Sequence, residues 1–302
     1  MTAVRVLTAT DIVQLMSHVG VHSFMDALID RLQVAFAEYS NGRFRVPARD
    51  GFHYNAGLVE WMPLMQHDAA VLMKMVGYHP TNPAQRGLPT VVSTLSMFDT
   101  RTGQLTAFAD GRLLTAMRTG AASAVATRLL SPPDVSSLGL IGCGTQAVTQ
   151  LHALSRIRNF SKVRFCDTNV AVADTLRERV SCLVDDKVQL MPCEIEEVVE
   201  RSDVICTATS VDVGGGPVFR TPLNTVCLHV NAVGSDLPGK TELPPEFLRT
   251  AVVCPDFRPQ AVAEGECQQL SDEEIGPDIM EIAGRLVESR KLCDRLTVFD
   301  ST

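Results

Sequence analysis

Hydrophobic positions in the first 130 residues follow two periods in turn. Val4-Arg5-Val6-Leu7 reads as a short strand, and Thr8 to Asp11 offers helix-capping groups. From Ser23 to Tyr39 the apolar residues Phe24, Leu28, Leu32 and Phe36 recur at helical spacing until Asn41-Gly42 ends the run. Strand-like pieces follow near 44–49, 57–62 and 70–78. Val91 to Phe98 and Gln104 to Ala109 flank Asp99-Thr100-Arg101-Thr102-Gly103, the pattern of a hairpin with a Gly-containing loop. Arg112 to Leu130 is an Ala-rich helix, close-packed at Thr119-Gly120-Ala121-Ala122-Ser123-Ala124 and stopped by Ser131-Pro132-Pro133. This half is mixed α+β.

Beyond that stop the rhythm changes. Ser137–Ile141, Lys162–Cys166, Val188–Met191, Asp203–Thr207, Thr225–Val230 and Ala251–Cys254 read as strands. Helical segments Gln146–Ile157, Val170–Val180 and Glu194–Glu200 fall between them. Strands alternating with helices imply a parallel sheet with right-handed crossovers.

Composition narrows the class of partner. The 302 residues carry a formal net charge of −8 and no basic tail, which argues against nucleic acid, where binding rests on Lys and Arg. No apolar stretch approaches the ~20 residues of a membrane span, and the first residues lack a charged leader with an apolar core, so a cytoplasmic protein is expected. The nine cysteines are odd in number, irregularly spaced and without Cys-x-x-Cys, which excludes a disulfide framework. His18 and His22 are spaced to share a helix face, but no third ligand lies near them in sequence and no metal site is expected.

Leu138-Gly139-Leu140-Ile141-Gly142-Cys143-Gly144-Thr145-Gln146-Ala147 joins strand, Gly-rich turn and helix start. Gly142 permits the turn, Gly144 admits a pyrophosphate, and Ala147 allows close helix–strand packing. The helix N-terminus supplies unpaired amides and a positive dipole. Asp167, 25 residues beyond Gly142, ends the next strand, where a carboxylate binds ribose hydroxyls and repels a 2′-phosphate; NAD is favoured over NADP.

Three further segments stand out: Leu114-Thr115-Ala116-Met117-Arg118-Thr119, the run Asn231-Ala232-Val233-Gly234-Ser235-Asp236-Leu237-Pro238-Gly239-Lys240-Thr241-Glu242, and Val298-Phe299-Asp300-Ser301. With Gly142-x-Gly144-x-Gln146 they resemble the ornithine cyclodeaminase/μ-crystallin family over almost the whole chain. The resemblance implies an α/β fold: a Rossmann NAD-binding domain over 115–290 and a split α+β substrate and dimerisation domain over 1–114, joined by 291–302. It implies a homodimer acting on a small amino acid or cyclic imine. Two departures stand beside it: the family continues past the match to Ser301-Thr302 through a Gly and another helix, and the Glu60 to Lys74 spacing here is one residue longer than in the ornithine enzyme.

The reaction implied is redox-neutral: ornithine gives proline and ammonia through bound NAD. Arg49 and Arg118 match the arginines for the substrate carboxylate, which arginine binds bidentately. Lys74 matches the lysine beside the reacting carbon, Asp236 the general acid/base and Glu60 an acidic residue of the substrate pocket. Around the cofactor the matches are Thr90, Arg118, Thr119, Gly142, Gly144, Thr145, Gln146, Asp167, Thr207 or Thr209, Asn231, Ala232, Val233, Lys240 and Ser301. Gly120 stands where many relatives carry Ala, a change expected to cost little.

Each residue alone has a plainer reading. Arg49 and Glu60 could be a surface ion pair, Lys74 an edge-strand gatekeeper, Arg118 a solvated cap and Asp236 an Asx turn. Trp61 reads as core or dimer interface. Two other functions share the pattern: reduction of a cyclic imine, or oxidation of an amino acid, with a nicotinamide cofactor, and non-catalytic binding of a nucleotide and a small carboxylate.

Overall fold

The computed structural model describes residues 3–222, 225–285 and 290–302. The chain divides into two compact units, Met1–Phe24 with Glu38–Ala116, and Met25–Ala37 with Met117–Thr302.

The first unit begins with β1 (Arg5–Leu7) and α1 (Ala9–Val19), which Thr8 and Asp11 cap reciprocally. α2 (Val21–Tyr39) follows at a bend of 96°. Gly20 separates the two helices, so His18 and His22 do not share one helix face as their spacing suggests. Among the described residues no single helix is long and apolar enough to cross a membrane.

Strands β2 (Phe44–Arg45), β3 (Asp50–Tyr54), β4 (Gly57–Gln66) and β5 (Ala70–Tyr78) come next, then α3 (Asn82–Arg86) and the hairpin β6 (Val91–Asp99) and β7 (Leu105–Asp110). They form one sheet in the order β1-β7-β6-β5-β4-β2, with β3 also on β4. Only β1 pairs in parallel. By register Val6, Phe52, Trp61, Met75, Val92 and Phe108 fall on one face, where all but the half-buried Trp61 are exposed. Phe52 and Trp61 meet edge to face, centroids 5.3 Å apart.

α4 (Arg112–Leu130) passes from the first unit into the second, and its Ala121–Ala126 stretch is buried on every side. The second unit then alternates β8 (Ser137–Ile141), α5 (Thr145–Ile157), β9 (Lys162–Cys166), α6 (Val170–Val180), β10 (Gln189–Pro192), α7 (Ile195–Arg201) and β11 (Val204–Thr207). It continues through β12 (His229–Ala232), α8 (Pro245–Leu248), β13 (Val252–Pro255), α9 (Arg258–Glu264), a 3-10 turn (Glu266–Gln269), α10 (Ile279–Gly284) and β14 (Thr297–Asp300).

All seven strands are parallel in the order β10-β9-β8-β11-β12-β14-β13, a Rossmann arrangement whose order reverses between β8 and β11. Side chains alternate between two cores, one on each face: Leu138, Leu140, Val204 and Cys206 in one, Ile141, Ile205, Val230 and Val298 in the other. Burial on both faces is why these strands read as continuous apolar runs.

Three expectations are corrected. The stretch 291–302 does not join the first unit, because Val298 pairs with Val230 and Val253 inside the second sheet. The middle of α2 belongs with the second unit: Met25 and Ile29 are fully buried, and Arg156 holds Asp26 through two 2.8 Å bonds. The strand expected at Thr225–Val230 lies later, at His229–Ala232, since Val226 and Leu228 donate their amides to Glu200 and Asp203 outside the ladder.

Candidate active site

The turn after β8 is built for a phosphate-bearing ligand. Gly142 has φ +92°, which a side chain would strain, and donates its amide to the Cys166 carbonyl at 2.9 Å. Gly144 opens onto free space and caps α5 with no side-chain hydrogen bond, so Thr145 and Gln146 begin a helix whose first-turn amides have no side-chain cap. Asp167 accepts from the Cys143 amide at 2.7 Å and the Asn169 amide at 2.8 Å, one on each oxygen. Each oxygen keeps a further acceptor site for a ribose hydroxyl.

Arg179 of α6, not anticipated from sequence, takes the loop's carbonyls. Its guanidinium donates to Cys143 O at 2.5 Å, Gly144 O at 3.3 Å and Val172 O at 3.1 Å. Burial pushes the Cys143 and Cys166 thiols up to about 12, which leaves both unreactive.

At the carboxyl ends of β11 and β12 the candidates separate into two roles. The Thr207 hydroxyl donates to Glu242 Oε2 at 2.6 Å, and the buried Thr209 hydroxyl, which makes no hydrogen bond of good geometry, stands beside the same carboxylate. Asn231 spends its amide on Thr127 Oγ1 at 2.9 Å and faces His229 Nε2 at 3.3 Å, tying β12 to α4. Burial drives His229 down to about 3, so it is a neutral imidazole in this network. Ala232 and Val233 end the strand, Val233 N–H on Thr207 O and Ser301 N–H on Ala232 O.

The loop after β12 carries Asp236 and Lys240, and Lys240 Nζ donates to Asp236 Oδ1 at 2.8 Å. Its other end is fixed by Ser235 Oγ and Gln268 Nε2, both donating to the Lys240 carbonyl, and by the Gly239 amide on Gln268 Oε1. On α4, Thr119 is buried and the half-buried Arg118 lies in the field of Asp256. Burial raises the Asp256 carboxyl; its bonds to Thr302 and the Arg118 charge oppose that. Asp256, too, was not legible in the sequence.

In the first unit Arg49 Nε stands 3.8 Å from Glu60 Oε2, with side chains only 8% and 9% exposed, so this is no surface pair. His53 Nε2 lies 3.9 Å from the other oxygen of Glu60. Lys74 sits in β5 between β4 and β6, opposite Met62 and Leu95, which removes the edge-strand reading. Thr90 accepts the His79 amide through its carbonyl at 2.8 Å. No group of three or more potential metal ligands occurs among the described residues.

The chain is similar to known proteins along its length. The model of the ornithine cyclodeaminase/mu-crystallin family matches residues 9–302. An L-lysine cyclodeaminase of Streptomyces rapamycinicus is 41% identical over 305 residues, 99% of this chain and 87% of that protein. A solved lysine cyclodeaminase, studied for recognition of L-lysine, L-ornithine and L-2,4-diaminobutyric acid, superposes with a TM-score of 0.94 at 44% identity, covering 99% of this chain and 87% of the other. An archaeal alanine dehydrogenase dimer with bound NAD gives 0.84 at 29% identity, covering 99% and 90%.

Proposed function

The chain belongs to the ornithine cyclodeaminase/mu-crystallin family, and from that premise we propose that it is an NAD-dependent cyclodeaminase of basic diamino acids. The observation that carries this reading is the Asp236–Lys240 pair, a proton-exchanging group beside a fixed cation on the loop after β12. L-Lysine is the first substrate to test, because of the relative's similarity, and L-ornithine the second. In either case a bond forms between Cα and the side-chain nitrogen, the bond from Cα to its own nitrogen breaks, and ammonia leaves.

NAD, when bound, supplies a reversible oxidation at Cα, so none is consumed. The residues present suit it: Gly142, Gly144, Thr145 and Gln146 for the pyrophosphate, Asp167 for the ribose, and the Thr209 hydroxyl, Ala232, Val233, Lys240 and Ser301 for the other half. Thr207 and Asn231 act behind these. Asp236 takes a proton from the attacking amine and returns one to the departing amine, and Lys240 keeps its carboxylate aimed. Arg49, Lys74 and Arg118 are assigned to the substrate carboxylate, Glu60 to the substrate's amines, and Thr90 and Thr119 to the cofactor.

The exposed apolar face of Phe52, Met75, Val92 and Phe108 is assigned to a second copy of the chain, as the relative's dimeric state supports. The activity is tested with a trace of NAD⁺ and each diamino acid. Ammonia release beyond the NAD⁺ supplied, without NADH accumulation, is the expected result. NADH rising in step with ammonia would make the protein an amino-acid dehydrogenase, as the alanine dehydrogenase likeness allows.

A further inference from the structure

Three acidic side chains to which the proposed chemistry gives no role, Glu242, Glu266 and Asp300, are fully buried in the second unit. Buried carboxylates are costly unless their oxygens are bound, and here backbone amides bind all six. Asp300 accepts from the Glu266 amide at 2.9 Å and the Cys267 amide at 2.8 Å. Glu266 accepts from the Glu242 amide at 2.7 Å and the Leu243 amide at 3.2 Å, with Gln269 Nε2 at 2.8 Å on the same oxygen as Leu243. Glu242 accepts from the Thr209 amide at 2.7 Å and the Gly234 amide at 2.8 Å.

Each carboxylate therefore grips the backbone on which the next one stands. The series runs from β14, through the 3-10 turn, to the loops leaving β11 and β12. Its last grip, on Gly234, lies two residues before Asp236. We propose that Glu242, Glu266 and Asp300 form a relay of positioning residues that holds the Gly234–Lys240 segment, and with it Asp236, in its working place.

The geometry makes the carboxylate necessary. Because each oxygen faces a backbone N–H, an amide side chain would set an NH₂ against a donor whichever way it turned. The catalytic consequence rests on the proposed cyclodeaminase reading; the positional one does not.

The test is Glu266→Gln in the full chain with NAD⁺ present, read by hydrogen–deuterium exchange of peptides spanning 233–243 and by turnover. Glu266 is two grips removed from Asp236, so exchange at Gly234–Lys240, beyond the Glu242 and Leu243 amides that Glu266 holds directly, is expected to accelerate ~10-fold or more, with peptides of β4 and β5 unchanged. Turnover is expected to fall ~10–100-fold, as for a misplaced catalytic group, and by more than NADH affinity falls. Should Glu266→Gln not yield folded protein, Gln269→Ala, which deletes the 2.8 Å bond to Glu266 and a 3.1 Å bond to the Leu243 carbonyl, must still accelerate exchange at Gly234–Lys240. Unchanged exchange at Gly234–Lys240, or a uniform rise throughout the sheet with turnover per folded molecule intact, overturns the relay. A wild type silent on every diamino acid would overturn the proposed activity and leave the exchange result standing by itself.

Discussion

Lys240 is the buried member and Asp236 the exposed one of the ion pair that joins them: Nζ stands 2.8 Å from Oδ1, with the side chains 5% and 41% exposed. A buried ammonium depends on its partner, and the aspartate is the more solvent-exposed of the two. Asp236→Asn is accordingly expected to lower ammonia release ~10²–10⁴-fold while NADH binding, followed by fluorescence, persists. Unchanged turnover would remove Asp236 from the chemistry.

The choice of dinucleotide is the role proposed for Asp167. Its two oxygens are anchored by the Cys143 and Asn169 amides, so the carboxylate cannot swing away from a 2′-phosphate. Asp167→Ser is expected to raise the KM for NAD⁺ and lower that for NADP⁺, moving the ratio of their kcat/KM by ~10-fold or more, about the worth of one charged hydrogen bond. A ratio that does not move would place the ribose elsewhere.

Gly120 is not interchangeable with alanine. A Cβ there would stand 2.4 Å from the Thr149 carbonyl oxygen, because α4 and α5 meet backbone to backbone at this point. The helix propensity gained, ~1 kcal/mol, is smaller than the overpacking incurred. Gly120→Ala is expected to destabilise the protein by about 1–3 kcal/mol in urea denaturation. The substitution looks cheap from the sequence because which neighbour touches a helix is a tertiary fact.

The same distinction separates what was legible from what was not. Strands and helices with their own period, such as Lys162–Cys166 and Val170–Val180, were readable to the residue, since burial of a face writes itself into the spacing. Gly142, Gly144 and Asp167 were readable because a turn, a helix start and a strand end mark their places. Glu242 and Glu266 were not: an acidic residue reads as solvated, and nothing local announces that distant amides will bind it. Asn231 reads as a cofactor contact by its place in the segment, yet its amide is committed to Thr127.

Two buried groups give stability opposing dependences on pH. Burial raises Asp300 from 3.8 to about 7, so between those values the folded chain holds a proton the unfolded chain has lost, and stability falls as pH rises. His229 is lowered from 6.5 to about 3, so in that window the unfolded chain holds the extra proton and stability rises with pH. Between about pH 4 and 6.5 the two nearly cancel. Against wild type, Asp300→Asn should make the slope of unfolding free energy with pH more positive, and His229→Gln should make it more negative. Slopes of the same sign would refute the assignment.

Phe108 lies beside Val6 on the exposed face of the first sheet. Phe108→Asp is expected to convert a dimer to a monomer in sedimentation velocity, with the circular dichroism unchanged. A monomeric wild type at micromolar concentration would leave that face to some other partner.

The place of β14 has a consequence for the order of assembly. β13 is made first, yet it joins the sheet only through β14, which lies between it and β12. Until Thr297–Asp300 has left the ribosome, β12 is an open edge and β13 is cut off from the sheet, keeping its bridge to Ile275. Completion of the sheet thus waits for Thr297–Asp300, and Asp300, the anchor of the carboxylate series, arrives in the same step. A half-made chain carries the Asp236 loop without the strand that heads the carboxylate series.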